Sequence, residues 1–339
     1  MSTAAGFDTA TLDAWLKAAI PGVDGPMTLE PVVGGQSNPT FFVTYPTRRM
    51  VLRKKPAGPL LPSAHAVDRE HRIMQALAAT GVPVPRMLAY HGEDDVVGTP
   101  FYVMERLEGR VFADCALPGV TPAERRAAYL NMAETLAALH RVDWRALGLA
   151  DFGREGQYFQ RQVVRWTKQW HLSKTRELPE IDRIAGWLSQ HVPPDDTTTI
   201  AHGDFRIGNL MFHPTEPRVV GVLDWELCTL GHPLADAAYG ALAWRLLPSE
   251  YMGMRGLDHD ALGIPTEQEY LDRYHDSAPD TGRVQPFHTA FSMFRLAVIF
   301  EGIAARAKSG AANAQNASQV GELSVVFARR AAEVIEGAA

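Results

Sequence analysis

Residues Ile200 to Phe212, IAHGDFRIGNLMF, set a histidine, an aspartate, an arginine and an asparagine between two apolar ends, with two glycines among them. Asp204 and Asn209 stand five positions apart, and His202 lies two before the aspartate. A carboxylate can orient an attacking hydroxyl and take its proton, while a nearby amide oxygen can hold a metal ion that bridges phosphates. That chemistry makes Asp204 the candidate base, Asn209 the candidate Mg2+ ligand and Arg206 a cation for a phosphoryl group in transfer. Gly203 and Gly208 would let the backbone turn sharply enough to aim these side chains inward. The plainer alternative is a His-Gly-Asp turn whose polar side chains satisfy local backbone donors.

The next segment favours the chemical reading. VVGVLDWE reads as an apolar strand ending at Asp224, fifteen residues after Asn209, where a second magnesium ligand is needed. Glu226 is either a further carboxylate ligand or a solvent-facing acid. Asp236, in PLADAAY, opens a helix whose dipole favours an acid there, and it reads as a structural anchor for the loop.

A nucleotide end is also readable. In VVGGQSNPTFFV, Gly34, Gly35, Ser37 and Asn38 fall between two strands, where a glycine turn lets backbone N-H groups approach phosphate. The spacing is not G-x-G-x-x-G, and a plain hairpin turn is the default. RRMVLRKKP supplies Arg53 on a strand, and the helix VDREHRIM offers Glu70 as its partner, matching the basic residue and helix glutamate of the kinase scheme. Lys54 should face the other way by alternation, and Lys55 competes if the strand bulges. In FYVMERLEG, the backbone of Glu105 to Leu107 would meet adenine, with Met104 behind it; that assignment follows from order along the chain.

These residues need a scaffold. Phe7 to Ile20 looks helical, and PGVDGPM stops that helix. LEPVVGGQSNPTFFVTYPTRRMVLRKKP reads as three antiparallel strands, and VPRMLAYH and PFYVMERL as two more, with a helix over Ala64 to Thr80 between them. From TPAERRAAYLNMAETLAALHRV onward helices dominate, this one opened by Thr121, Pro122 and Glu124. The expectation is an α+β, two-lobe, protein-kinase-like fold: a small antiparallel-sheet lobe over 1–105 that binds nucleotide, and a larger helical lobe over 106–339 for catalysis and acceptor.

Composition narrows the classes. With 339 residues, 46% hydrophobic and a formal charge of -6, the chain has a sizeable core and no general basicity for nucleic acid. Two distant cysteines, Cys115 and Cys228, suggest neither disulfides nor zinc. The N-terminal stretch has aspartates where an export signal has basic residues, and FSMFRLAVIFEGIAA is too short and too charged to span a bilayer. A cytoplasmic protein with no membrane partner is expected, its oligomeric state unknown.

Together, GGQSNPTFFV, VLRKKP, HGDFRIGN and VLDWELCTLGHPLADAAY resemble the aminoglycoside phosphotransferase and choline kinase group over roughly residues 28 to 245. They look most like the branch found in acyl-CoA dehydrogenase fusion proteins, associated with hydroxyacyl-CoA phosphorylation. The resemblance implies ATP and Mg2+ as cofactors, a nucleotide cleft between the lobes, Asp204 as base, and Asn209 and Asp224 on the metal. Arg53 departs from the family's lysine, although its planar fork can still hold phosphate and carboxylate. The expected acceptor is a small hydroxylated molecule, anionic rather than polycationic, because REGQYFQRQVVRWTKQWHLSKTRE is basic and aromatic; a solvated face with tryptophans in the core explains that stretch as well. Alternatives are an aminoglycoside or choline-type kinase, a catalytically silent nucleotide-binding module, and a metallohydrolase on His202 and Asp204, which lacks a second histidine cluster.

Overall fold

The computed structural model describes residues 6–32, 38–58, 65–308 and 317–337. Gly34, Gly35 and Ser37, the expected phosphate turn, lie outside them. The chain forms two compact units, 1–110 with 220–228 and 111–219 with 229–339. The sequence suggested a single cut at residue 105; instead the segment carrying Asp224 belongs to the first unit.

In the first unit, helix α1 (Thr9–Ala19) precedes strands β1 (Thr28–Pro31), β2 (Thr40–Tyr45) and β3 (Arg48–Lys54), then come α2 (Val67–Leu77), β4 (Met87–His91) and β5 (Phe101–Glu105). The strands make one antiparallel sheet in the order β1-β2-β3-β5-β4. Alternation divides it cleanly. Val43, Met50, Leu52, Phe101 and Val103 join Leu12 and Leu16 of α1 in one core, so Val51, Arg53 and Tyr102 are left for the opposite face. Lys54 is on the α1 side as expected, buried, its ammonium 4.9 Å from the Phe7 ring and donating to the Val97 carbonyl. Burial pulls that ammonium below its usual range.

Strand β6 (Arg110–Val111) falls at the boundary, and the second unit continues with α3 (Pro122–His140), α4 (Tyr158–Ser173) and α5 (Pro179–Gln190). Strands β7 (Thr199–Ala201), β8 (Leu210–Phe212) and β10 (Thr229–Gly231) follow, with β7 and β10 paired antiparallel, while β9 (Val219–Val222) leads into the segment that belongs to the first unit. Helices α6 (Pro233–Gly240), α7 (Pro248–Tyr251), α8 (His259–Leu262), α9 (Glu267–His275), α10 (Pro286–Lys308) and α11 (Ala317–Glu336) complete it. Thr121 caps α3 as the sequence predicted, accepting from the Glu124 N-H at 3.2 Å. Phe291, Phe294, Trp170, Ile184 and Phe327 pack α10 against α4, α5 and α11. Arg295 and Glu301 interrupt α10 with charge, and no helix among the described residues is long and apolar enough to cross a membrane.

His288, near the start of α10, is 1% exposed; its Nδ1 accepts from the Gln285 N-H at 2.9 Å, and its buried Nε2 has no protein partner. Burial, then neighbouring His232, pushes it down to about 3. An unfolded histidine titrates near ~6.5, so acid protonates the unfolded chain first. Stability present at neutral pH is therefore lost as pH falls from about 6.5 toward 3, on the order of several kcal/mol at the bottom of that window. In His288→Asn the melting temperature should fall less steeply with acid than in the parent; parallel melting curves would show that His288 does not drive it.

Candidate active site

Within the first unit, the face left to Val51, Arg53 and Tyr102 meets α2. Arg53 Nε lies 3.0 Å from Glu70 Oε2, its Nη2 2.9 Å from Asp224 Oδ1 and 3.9 Å from Glu226 Oε2. The 3.0 Å approach to Glu70 is an ion pair with poor hydrogen-bond direction, since the buried Nε has no hydrogen-bond partner. Glu70 is 1% exposed and also accepts from Asn38 Nδ2 at 2.6 Å and Tyr102 Oη at 2.9 Å. Burial pushes its carboxyl up to about 7 against the pull of Arg53 and Tyr102. Burial alone would depress the Arg53 guanidinium, but Glu70 and the other acids around it hold it above its ordinary value. One cation serves three carboxylates here.

Asp224 sits at φ 63°, in the left-handed region, directly after β9. Aspartate tolerates that conformation better than most residues, and such positions collect at functional sites because the backbone strain aims a side chain. The strand end thus turns the Asp224 carboxylate toward Arg53.

In the second unit the loop after β7 is held at several points. Asp236, buried on α6, accepts the N-H groups of His202 at 2.6 Å and Gly203 at 2.9 Å. Burial would raise its carboxyl, yet His140 and the other donors around it keep it below the usual range. The anchoring role expected of Asp236 is what these bonds do. Gly203 has φ +85°, and Arg295 of α10 donates to its carbonyl. A Cβ at Gly208 would come within 2.5 Å of Arg206 Nη1, so glycine is what lets the guanidinium fold back over the loop.

Asp204, Arg206 and Asn209 are brought together by this turn. Asn209 Nδ2 donates to Asp204 Oδ2 at 2.7 Å and to its backbone oxygen at 2.8 Å, which commits the amide nitrogen and leaves the amide oxygen as the atom that could hold a metal. Arg206 Nε lies 3.4 Å from Asp204 Oδ2, and the Tyr239 hydroxyl donates to Oδ1. Arg206 is held above its ordinary value: burial opposes this, but Asp204 and nearby tyrosines outweigh it. Arg206 and Tyr239 line a pocket whose other walls include Met132, Ile207, Leu242 and Leu246. No aspartate or glutamate contributes to that lining.

Some expectations change. Both ends of the Asn38 amide are spent, on Glu70 and on His65 Nδ1 at 3.0 Å, so this residue braces α2 rather than turning to a phosphate. In the connector, the Glu105 N-H goes to the Arg86 carbonyl and the Arg106 N-H to the Arg49 carbonyl. Sheet pairing therefore claims the first donors of that stretch and shifts the expected base contact to the Leu107 N-H. Met104 is half-buried, paired with Val51 and Met87. Between Arg53 and Lys55, only Arg53 makes the glutamate pair in the structure as described. On α4, Trp170 is fully buried and donates to Asp182 at 2.7 Å, and Trp166 Nε1 donates to Gln162 at 3.1 Å, so the aromatic residues serve packing. Tyr239 and Arg295 were not singled out for the loop: a tyrosine at the end of a small-residue helix and an arginine in an apolar one carry no local signal of where they reach. Among the described residues no three His, Cys, Asp or Glu side chains form a metal-binding group.

The chain belongs to the Phosphotransferase enzyme family, matching it over residues 28–287. It is 46% identical over 312 residues to acyl-CoA dehydrogenase family member 10 of Mus musculus, covering 91% of this chain and 29% of that protein. Over 308 residues it is 39% identical to family member 11 of Homo sapiens, covering 88% of this chain and 39% of that protein. The chain thus spans well under half the length of these relatives. A crystal structure of a candidate aminoglycoside phosphotransferase from Ralstonia eutropha JMP134 superposes with a TM-score of 0.89 at 46% identity, covering 98% of this chain and 99% of that one. The aminoglycoside phosphotransferase APH(4)-Ia, in complex with AMP-PNP and hygromycin B, shares the fold at a TM-score of 0.61 and 15% identity, covering 95% and 99%. The expected kinase-like fold, with a small antiparallel-sheet part and a mainly helical remainder, is the one observed in this member of a phosphotransferase family.

Proposed function

We propose that this chain is an ATP- and Mg2+-dependent O-kinase that moves a γ-phosphoryl group to a hydroxyl of a small anionic or aliphatic acceptor, a hydroxyacyl-CoA being the leading candidate. The observation that carries it is the grip on Asp204, both of whose carboxylate oxygens are fixed by donors while two of those donors line a pocket. A carboxylate so held is preorganised to orient an acceptor hydroxyl and take its proton. Arg206 offers positive charge where the phosphoryl group gains negative charge. Arg53 holds nucleotide phosphate while its other contacts tie β3 to α2. Leu107 N-H meets the base, with Met104 behind it.

The donors offered to magnesium are the Asn209 amide oxygen and the Asp224 carboxylate, with Glu226 near the same arginine; all are hard oxygen ligands of the kind this ion takes. When bound, magnesium neutralises phosphate charge. Free buried Cys115 and Cys228 suit a reducing, cytoplasmic setting.

An aminoglycoside or choline-type acceptor is the second reading. Against it stands the pocket's lining, which offers apolar walls and an arginine to what would be a cation. The names of the curated relatives, joined to acyl-CoA dehydrogenases, add weight to an acyl acceptor.

The test is purified protein with ATP, magnesium and a panel of hydroxyacyl-CoAs, amino sugars and choline, read by a mass gain of one phosphate. Acyl substrates should gain it and amino sugars should not. Turnover of amino sugars alone would reverse the order of the two readings. Binding of ATP without transfer to any alcohol, and without dependence on magnesium, would leave a silent nucleotide-binding module.

A further inference from the structure

Helix α6 makes two separate contacts with the loop, from residues three apart and therefore on one helical face: Asp236 takes two backbone N-H groups, and Tyr239 takes the carboxylate itself. The first contact shapes the turn. The second falls on a side chain, whereas the backbone is held by Asp236 and by Arg295 on the Gly203 carbonyl.

We propose that Tyr239 is a positioning residue for phosphoryl transfer, its hydroxyl fixing the rotation of the Asp204 carboxylate that receives the acceptor's proton. This rests on the kinase reading above. Oδ2 takes Asn209 at 2.7 Å and Arg206 at 3.4 Å, whereas among the described residues Oδ1 takes Tyr239. Tyr239 and Arg206, donors on the two different oxygens, both line the same cavity, so the carboxylate is held from both sides beside it. In the step, the acceptor oxygen bonds to the γ-phosphorus as its proton passes to the Asp204 carboxylate, and the bond to the bridging oxygen breaks with ADP leaving.

Tyr239 is suited to this by its surroundings. It is 6% exposed, and the Arg295 guanidinium lies 5.5 Å from its ring centroid, a cation over the ring face that limits its swing. Burial, and next the Asp204 charge, raises the phenol well above its ordinary value, so it stays a donor at any working pH. A tyrosine in two rigid contacts costs little entropy to hold in place, unlike a water or a lysine.

Tyr239→Phe removes only the hydroxyl. Expected is a kcat lower by about tenfold to a hundredfold, the effect of losing one hydrogen bond to a charged group, with KM for ATP within about twofold because no nucleotide contact changes. In protein with 13C-labelled aspartate, the Asp204 carboxyl signal, assigned by its loss in Asp204→Asn, should move in Tyr239→Phe. An unmoved signal with unchanged kcat overturns the proposal, and so does a fall in thermal stability with kcat per folded molecule preserved. If Tyr239→Phe does not fold, fluorotyrosine at 239, which sharpens the donor and keeps the ring, must shift the same signal; no shift overturns it. The carboxyl signal is read without any acceptor, so a chain that transfers phosphate to nothing defeats the kinase reading while the contact is still judged.

Discussion

Asp204→Asn is expected to lower kcat by about 10²–10⁴-fold, the usual share of a positioned proton acceptor, while ATP binding changes little. The fold should survive the exchange. Asn209 can still donate to the remaining side-chain oxygen, and the Tyr239 hydroxyl, which both gives and takes hydrogen bonds, can turn to accept from the new amide. The backbone anchors on Asp236 and Arg295 do not involve the altered group. Only the ability to accept a proton is lost. Steady-state rates, nucleotide titration calorimetry and melting curves on one preparation check this. Full activity in the variant would remove Asp204 from the chemistry, and loss of nucleotide binding alongside activity would mean that the loop had collapsed instead.

The second large effect is on the first unit. Arg53→Ala leaves Glu70, 1% exposed, and Asp224 without the cation they share, and breaking a buried ion pair in this way costs about 3–5 kcal/mol. The loss should depend on pH in a defined direction. In the parent, burial already holds the Glu70 carboxyl up to about 7. Without Arg53 its proton is held more tightly still, so the folded variant binds a proton that the unfolded chain gives up near ~4.3. Its stability is therefore best preserved in acid and declines as pH rises past that value. Arg53→Lys returns the charge without the fork and should recover part of the stability, because a single ammonium cannot reach Glu70 and Asp224 with separate donors. Denaturant titrations of the three proteins at pH 5 and pH 8 decide it: equal losses for alanine at both would mean that Glu70 is not the group left stranded.

Much of this was legible from residue order. Five strands and the helix after β3 could be read from alternation and turn residues, because each strand's pattern is written within itself: in β2 the buried positions are Phe41, Val43 and Tyr45, every second residue. The pairing of Arg53 with Glu70 was also visible, through the basic strand residue and helix glutamate of the kinase scheme. What could not be read were contacts made by chain segments far apart. Tyr239 and Arg295 reach the 203–204 turn from helices whose neighbourhood only packing decides. Asn38 looked like a phosphate donor because its turn carried glycines, yet a buried glutamate competes for its amide more strongly than a loop position advertises. The connector failed for a similar reason: whether an N-H is spent on a neighbouring strand is a matter of register, which Glu105 and Arg106 do not reveal in their side chains.

The first unit borrows residues 220–228 from the far half of the chain. A gene fragment ending anywhere between them and residue 110 would encode Arg53 and Glu70 but omit the aspartate that completes their charge cluster. Exchange of this unit alone between relatives by recombination would accordingly demand three crossovers within the chain, after residues 110, 219 and 228, so its strands and that distant aspartate should be inherited together.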